Sequence, residues 1–232
     1  MNAGRKRLAI FDLDGTIVQF AIDSKAARAD VIAYFDEIGI PKKALDIKNS
    51  IIDLFTRARL LVQEEGLPEP DWDEVRRRVL DIIESYERVA AKVSKPVPGI
   101  HGVLETLTGH GVLMAVCTLN TTPNANGVLR KHGLAGYFEV VAGRDVVGDR
   151  MKPDPWHGMY VVERVGVTLE NCVMVGDHPA DVQMATSMGI KAIAITSTRH
   201  GPEAFSRFGE IELLPDNAYD RLPGMVLRAC SS

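Results

Sequence analysis

Asp12 and Asp14 stand on either side of Leu13, where the apolar run Leu8-Ala-Ile-Phe meets Gly15 and Thr16. In an extended segment side chains alternate in direction, so such a pair faces one crevice while the residue between turns toward the core. Such a pair at the carboxyl end of a strand stands where open α/β sheets bind their ligands. An Asp-rich turn capping its own amides is the competing reading of this pentapeptide taken alone. A second apolar run, Val173-Met-Val-Gly, ends in the same manner at Asp177, with Asp181 a little further on. Four carboxylates meeting at strand ends repel one another unless a divalent cation neutralises them, and such hard oxygen donors select Mg²⁺. Capping of a helix over 181–188 is the alternative role for Asp181. His178 lacks a second ligand at metal-binding spacing and reads as a loop residue that can touch a substrate.

Thr118 closes another apolar run, Val112-Leu-Met-Ala-Val-Cys, and Leu119, Asn120 and a helix start follow it. A hydroxyl and successive amides at such a point can cradle a phosphoryl group, because a helix N-terminus presents unsatisfied N–H donors. Lys152, in Arg150-Met-Lys-Pro-Asp-Pro, offers a matching cation ahead of the Asp177 strand. Taken singly, the threonine fits a helix cap equally well and the lysine a solvated loop.

These residues need strands that end at one edge. The short apolar runs at 8–12, 112–118, 138–142, 172–176, 191–195 and 211–214 alternate with helical stretches, the pattern of parallel strands with crossover helices. Thr122-Pro123 supplies an N-cap and first turn, and Gly133, Gly166 and Gly189 close helices. Between the first strand and the rest, residues 20–93 read as helical throughout. One helix runs from Asp23 to Ile38 and a second from about Lys42 to Glu65. A third opens on an Asp71/Glu74 capping box and buries Val75, Val79, Ile82, Ile83, Tyr86 and Val89. The expected architecture is α/β: a Rossmann-like core with a parallel sheet (residues 1–19 and 95–232) plus an inserted α-helical domain (20–94). Linkers near 16–20 and 94–99 permit hinge motion.

The 232 residues are 46% hydrophobic and 25% charged, enough for one large domain or a core plus an insert. A net charge of −4 provides no global positive field, which argues against a nucleic-acid polymer or an anionic membrane as partner. No apolar run approaches the roughly 20 residues of a membrane span. The basic Arg5-Lys-Arg7 is followed by an apolar run cut at Asp12 and Asp14, so no secretory signal and a cytoplasmic location are expected. Three cysteines, an odd number without metal-ligand spacing, suit free thiols in a reducing compartment.

In order, Leu8-Ala-Ile-Phe-Asp-Leu-Asp-Gly-Thr-Ile17, Thr118, Lys152-Pro153 and Val175-Gly-Asp-His-Pro-Ala-Asp181 resemble the four motifs of the haloacid dehalogenase superfamily. The likeness spans nearly the whole chain, and residues 20–93 resemble the helical cap of its phosphoglycolate phosphatase and β-phosphoglucomutase branch. It implies a sheet whose first strand is central, flanked by those carrying Thr118 and Asp177. It implies Asp12 as nucleophile forming an aspartyl phosphate, Asp14 as general acid and base, and Thr118, Leu119 and Lys152 as phosphoryl ligands. Mg²⁺ would be held by the Asp12 and Asp177 side chains and the Asp14 carbonyl, with Asp181 in support. Four aspartates against one lysine leave a formal charge of −3, which a divalent cation reduces to −1.

Dehalogenases of this superfamily lack an acid at the position of Asp14, so phosphoryl chemistry is expected rather than carbon–halogen cleavage. The substrate expected is a small phosphorylated metabolite and the assembly a monomer or homodimer. A phosphomutase, a pyrophosphatase and a binding protein on an inactive scaffold are the rival readings. Gln19-Phe20 stands where many capped relatives have Asp-Ser, and Thr118-Leu119-Asn120 where they have Thr and Asn adjacent. Arg57 and Arg59 flank the apolar arc of the second helix and are candidate substrate contacts, a solvated helix flank being the alternative.

Overall fold

The chain's short strand runs are, at the centre of the sheet, apolar at successive positions rather than alternate ones (Leu8–Phe11, Val112–Cys117 and Cys172–Gly176), which is what a sheet covered on both faces requires. The computed structural model, which describes residues 6–230, forms them into β1 (Arg7–Phe11), β2 (Val112–Cys117), β3 (Val140–Ala142), β4 (Cys172–Gly176), β5 (Lys191–Thr196) and β6 (Glu212–Pro215). All are parallel, in the order β3-β2-β1-β4-β5-β6, so β1 is central between β2 and β4 as the resemblance implies. The helices, in chain order, are α1 (Ser24–Glu37), α2 (Ile51–Glu65), α3 (Trp72–Val93), α4 (Ile100–Gly109), α5 (Thr122–Lys131), α6 (Pro155–Val165), α7 (Pro179–Met188) and α8 (Leu222–Ala229). The architecture is α/β and Rossmann-like. Among the described residues no helix is long and apolar enough to cross a membrane.

The chain divides into two compact units, one running to Phe20 and resuming at Ser94, the other Ala21–Val93. In the first, Leu8, Ile10, Cys117 and Met174 point to one face of the sheet and pack on Val161 and Val162 of α6 and Met184 and Met188 of α7. Ala9, Phe11, Val116 and Val175, on the other face, are fully buried, and α4 and α8 pack against the strands there. Burial of both faces is the main stabilising term, at about 25 cal/mol per Å² of apolar surface. The two linkers pair with each other: Gln19 N donates to Lys95 O at 2.8 Å and Val97 N to Ile17 O at 3.0 Å.

In the second unit α1, α2 and α3 close over Val31, Phe35, Leu54, Leu61, Val75 and Val79. Two expectations are corrected here. The second helix does not start at Lys42: a short 3₁₀ turn at Lys42–Ala44 breaks off, and α2 begins at Ile51. Asp46 takes Lys48 N at 2.9 Å and Ser50 forms a capping box with Asp53, so local side chains outcompete helical continuation. Val89 is 60% exposed rather than buried, and the stripe runs on through Glu87 and Ala90 instead. Asp71 does cap α3, accepting from Asp73 N and Glu74 N, while Glu74 pairs with Arg77.

Candidate active site

Parallel register brings three strand ends to one level. Phe11 lies opposite Val116 on one side and Val175 on the other, so the residues just beyond, Asp12, Thr118 and Asp177, border the same crevice. The strand order reverses at β1, and open α/β sheets bind ligands at such a reversal, beyond the carboxyl ends of the strands.

The turn after β1 is tight. Leu13, fully buried, offers its carbonyl to Ile17 N at 2.9 Å and Val18 N at 3.0 Å. Gly15 has φ +98°, and a Cβ there would strike the Asp177 carboxylate, so only glycine permits this approach. The buried Thr16 donates from Oγ1 to Asp177 Oδ1 at 3.4 Å and accepts at its carbonyl from Tyr219 Oη at 2.7 Å.

Asp12, Asp177 and Asp181 are all buried, and one carboxylate oxygen from each lies within 4.8 Å of the others. Lys152, 2% exposed, sends Nζ to Asp12 Oδ1 at 2.7 Å, Asp181 Oδ1 at 2.6 Å and the Cys117 carbonyl at 2.8 Å. Burial pulls the ammonium's pKa down, but Asp12 and Asp181 outweigh it and leave it raised. Burial, then Asp12 and Asp181, push Asp177 up to about 8; burial, against the opposing pull of Lys152, pushes Asp181 up to about 6. Carboxylates buried beside one another in this way are short of positive charge. Hard oxygen donors clustered in a buried crevice fit a divalent cation.

Asp181 does not take the expected N-cap position: α7 starts at Pro179, His178 is the N-cap, and Asp181 completes a capping box by accepting His178 N at 3.0 Å. Its other oxygen meets Lys152. His178 Nδ1 accepts from Ala180 N at 3.1 Å, and burial lowers its pKa to about 4.

The side chain of Asp14 does not join the cluster, so three carboxylates converge rather than four. Asp14 Oδ2 instead accepts from Asn120 Nδ2 at 3.0 Å. Thr118, 1% exposed, accepts Asn120 N on Oγ1 at 3.1 Å, and the Leu119 carbonyl takes Arg144. The expected Thr122 cap is displaced by one residue. Thr121 is the N-cap of α5 without a capping bond of its own, and Asp145 Oδ1 accepts Thr122 N at 2.6 Å in its place. Arg57 is paired with Glu64 at 2.8 Å and the Arg59 guanidinium lies 5.3 Å from the Trp72 ring centre, both within the helical unit.

The family model of haloacid dehalogenase-like hydrolases matches residues 6–189. The chain belongs to that family. It is 31% identical to a phosphoglycolate phosphatase of Agrobacterium fabrum over 217 residues, covering 92% of this chain and 88% of the relative. It is 30% identical to phosphoglycolate phosphatase 1 of Pseudomonas aeruginosa over 221 residues, covering 94% and 79%. Among solved structures, a predicted phosphatase from Clostridium acetobutylicum superposes with a TM-score of 0.67 at 20% identity, covering 97% of this chain and 100% of that one. The fold is thus that of haloacid dehalogenase-like hydrolases, and the chain is an enzyme of that family.

Sequence reasoning passed over four residues of this haloacid dehalogenase-like site. Asn120 stood only as a departure from a motif. Thr16 was hidden in the turn. Arg199 Nη1 meets Asp177 Oδ2 at 3.1 Å, with its guanidinium 3.3 Å from the Phe20 ring centre, and His200 Nδ1 lies 2.9 Å from the Asp177 carbonyl. The available signal for Arg199 and His200 was their place just past β5, whose carboxyl end borders the same crevice.

Proposed function

We propose that this enzyme is a Mg²⁺-dependent phosphatase that hydrolyses a small phosphomonoester through an aspartyl phosphate on Asp12. The observation that carries the reading is the Asp12 carboxylate, buried at the strand-end crevice with Lys152 at 2.7 Å and two further carboxylates beside it. Asp12 attacks phosphorus in line as the ester P–O bond breaks, and Asp14 gives its proton to the departing oxygen. Asp14 then takes a proton from water, which attacks the aspartyl phosphate, releasing phosphate and restoring Asp12. Thr118 Oγ1 has accepted Asn120 N and keeps its O–H for a phosphoryl oxygen; the Leu119 amide and Lys152 supply further donors. Asp12 and Asp177 side chains and the Asp14 carbonyl would hold Mg²⁺, with Asp181 in support through Lys152. When bound, the cation neutralises charge that develops on the transferring phosphoryl group.

Residues 20–94 are assigned the role of a cap that excludes bulk water and selects the leaving group. The internal pairing of Arg57 and Arg59 favours a structural part for both within it. Three free, buried cysteines suit a reducing cytoplasm.

The test is release of free phosphate across a panel of phosphorylated metabolites and pyrophosphate, with Mg²⁺ or EDTA. The panel includes 2-phosphoglycolate because the relatives above carry that name. Release that needs both metal and Asp12, with Asp12→Asn slower by about 10³-fold or more, is expected on the scale of lost nucleophiles. Undiminished turnover by Asp12→Asn rejects the mechanism.

A further inference from the structure

The amide of Asn120 is 4% exposed and every polar atom of it is committed. Nδ2 donates to Asp14 Oδ2 at 3.0 Å, while Oδ1 accepts both Thr121 N at 2.9 Å and Asn124 Nδ2 at 2.9 Å. Its own N–H goes to Thr118 Oγ1 at 3.1 Å. Because Oδ1 takes two donors, the amide cannot be flipped without setting N–H against N–H, so the atom facing Asp14 must be the donor. That donor grips one oxygen of a carboxylate anchored 106 residues away, at the end of a neighbouring strand.

We infer that Asn120 is a positioning residue for Asp14, holding its carboxyl out of the Asp12–Asp177–Asp181 cluster and in a fixed orientation for proton transfer, and that Asn124 fixes Asn120 in turn. The inference rests on the proposed role of Asp14. Two carboxylates as close in sequence as Asp12 and Asp14 would otherwise compete for the same cation, and an acid caught in the metal cluster cannot serve a leaving group. Asn120 separates the two tasks. It also couples them to the phosphoryl ligands, since Thr118 receives the N–H of the same residue. A shift of Asp14 by about 1 Å would cost on the order of 10²-fold in rate.

Asn120→Asp tests this with little change of shape. It keeps the acceptor for Thr121 N and Asn124 and replaces the donor to Asp14 by a carboxylate oxygen, which repels the Asp14 carboxylate instead of holding it. Asn120→Ser, which retains an oxygen but cannot reach Asp14, is the second variant should the first fold poorly. Both are assayed with Mg²⁺ on 2-phosphoglycolate, whose alkoxide leaving group needs a proton, and on 4-nitrophenyl phosphate, whose leaving group does not. The expected result is a fall in kcat/KM of about 10- to 100-fold for the first substrate and under about threefold for the second. In an Asp14→Asn background, either substitution is expected to change the rate by less than about twofold, because a residue acting through Asp14 has nothing left to act on. An equal loss on both substrates, or a loss that multiplies with that of Asp14→Asn, overturns the inference and leaves a merely structural asparagine. Full activity of the Asn120 variants beside a slow Asp14→Asn overturns it alone. Full activity of Asp14→Asn removes the assigned acid and base, and the inference with it.

Discussion

Lys152 Nζ lies 2.7 Å from Asp12 Oδ1 across 140 residues of sequence, in a slot where it also meets Asp181 and a strand-end carbonyl. One ammonium thus serves two carboxylates, and its charge is raised in persistence by both. Replacing it by methionine leaves two buried acids facing each other. Lys152→Met is expected to lower kcat by about 10²- to 10³-fold, the scale of a lost charge-stabilising group, and to lower stability by roughly 3–5 kcal/mol as for a broken buried pair. Arginine should not rescue, because its planar fork cannot fit three acceptors arranged for one small ammonium. Steady-state kinetics and denaturant unfolding check both parts; turnover within threefold of the parent would refute the role.

The acidic cluster makes a separate prediction that needs no substrate. A cation that binds only the folded chain stabilises it by mass action, about 2.7 kcal/mol at a hundredfold excess over Kd. For a chain of this size that is roughly 5–10 °C in Tm. Mg²⁺ against EDTA should produce such a shift in a melting experiment. Asp177→Asn should abolish most of it, and Asp14→Asn should keep most of it, because the Asp14 carboxyl is held by Asn120 outside the cluster. Equal shifts in all three proteins would exclude Asp177 as a ligand.

His157 gives a pH dependence with a definite sign. Its Nδ1 accepts Lys152 N at 3.2 Å, so the ring proton sits on Nε2, 3.1 Å from the Ala142 carbonyl. Burial, then the charge of Lys152, lowers its pKa from 6.5 to about 4. Between these values the unfolded chain binds the proton and the folded chain does not, so stability is present above pH 6.5 and is lost as pH falls toward 4. The slope approaches about 1.4 kcal/mol per pH unit, for a total on the order of 3 kcal/mol. Urea unfolding at a series of pH values should show this component in the parent and not in His157→Gln. The same slope in both would assign the acid sensitivity to other groups.

Asp145 caps α5 from a distant turn, through Thr122 N at 2.6 Å and Thr122 Oγ1 at 2.8 Å. Asp145→Ala is expected to cost about 1–2 kcal/mol, as N-cap losses do, and Asp145→Asn to restore most of it by keeping the acceptor. Thermal melts of the pair decide; an alanine variant as stable as the parent would mean that Thr121 takes over the cap.

The chemistry-bearing residues and the sheet were legible in the sequence because strand endings are local events. An apolar run that stops at Asp12, Thr118 or Asp177 marks a carboxyl end whatever the rest of the chain does, and parallel alternation with helices forces such ends to one side. Side-chain commitments were not legible. Whether Asp14 joins a metal cluster or an amide, whether Asp181 caps a helix or meets a lysine, and which residue caps α5 depend on partners far along the chain. Helix limits at 42–51 turned on short Asp and Ser side chains competing with the backbone over two or three residues, a balance that periodicity does not register. Residue types and spacing therefore determined that Asp12, Thr118 and Asp177 would border one crevice. Only the tertiary structure decided how they divide the work, because a hydrogen bond's direction and a carboxylate's burial are set by the packing of several elements at once.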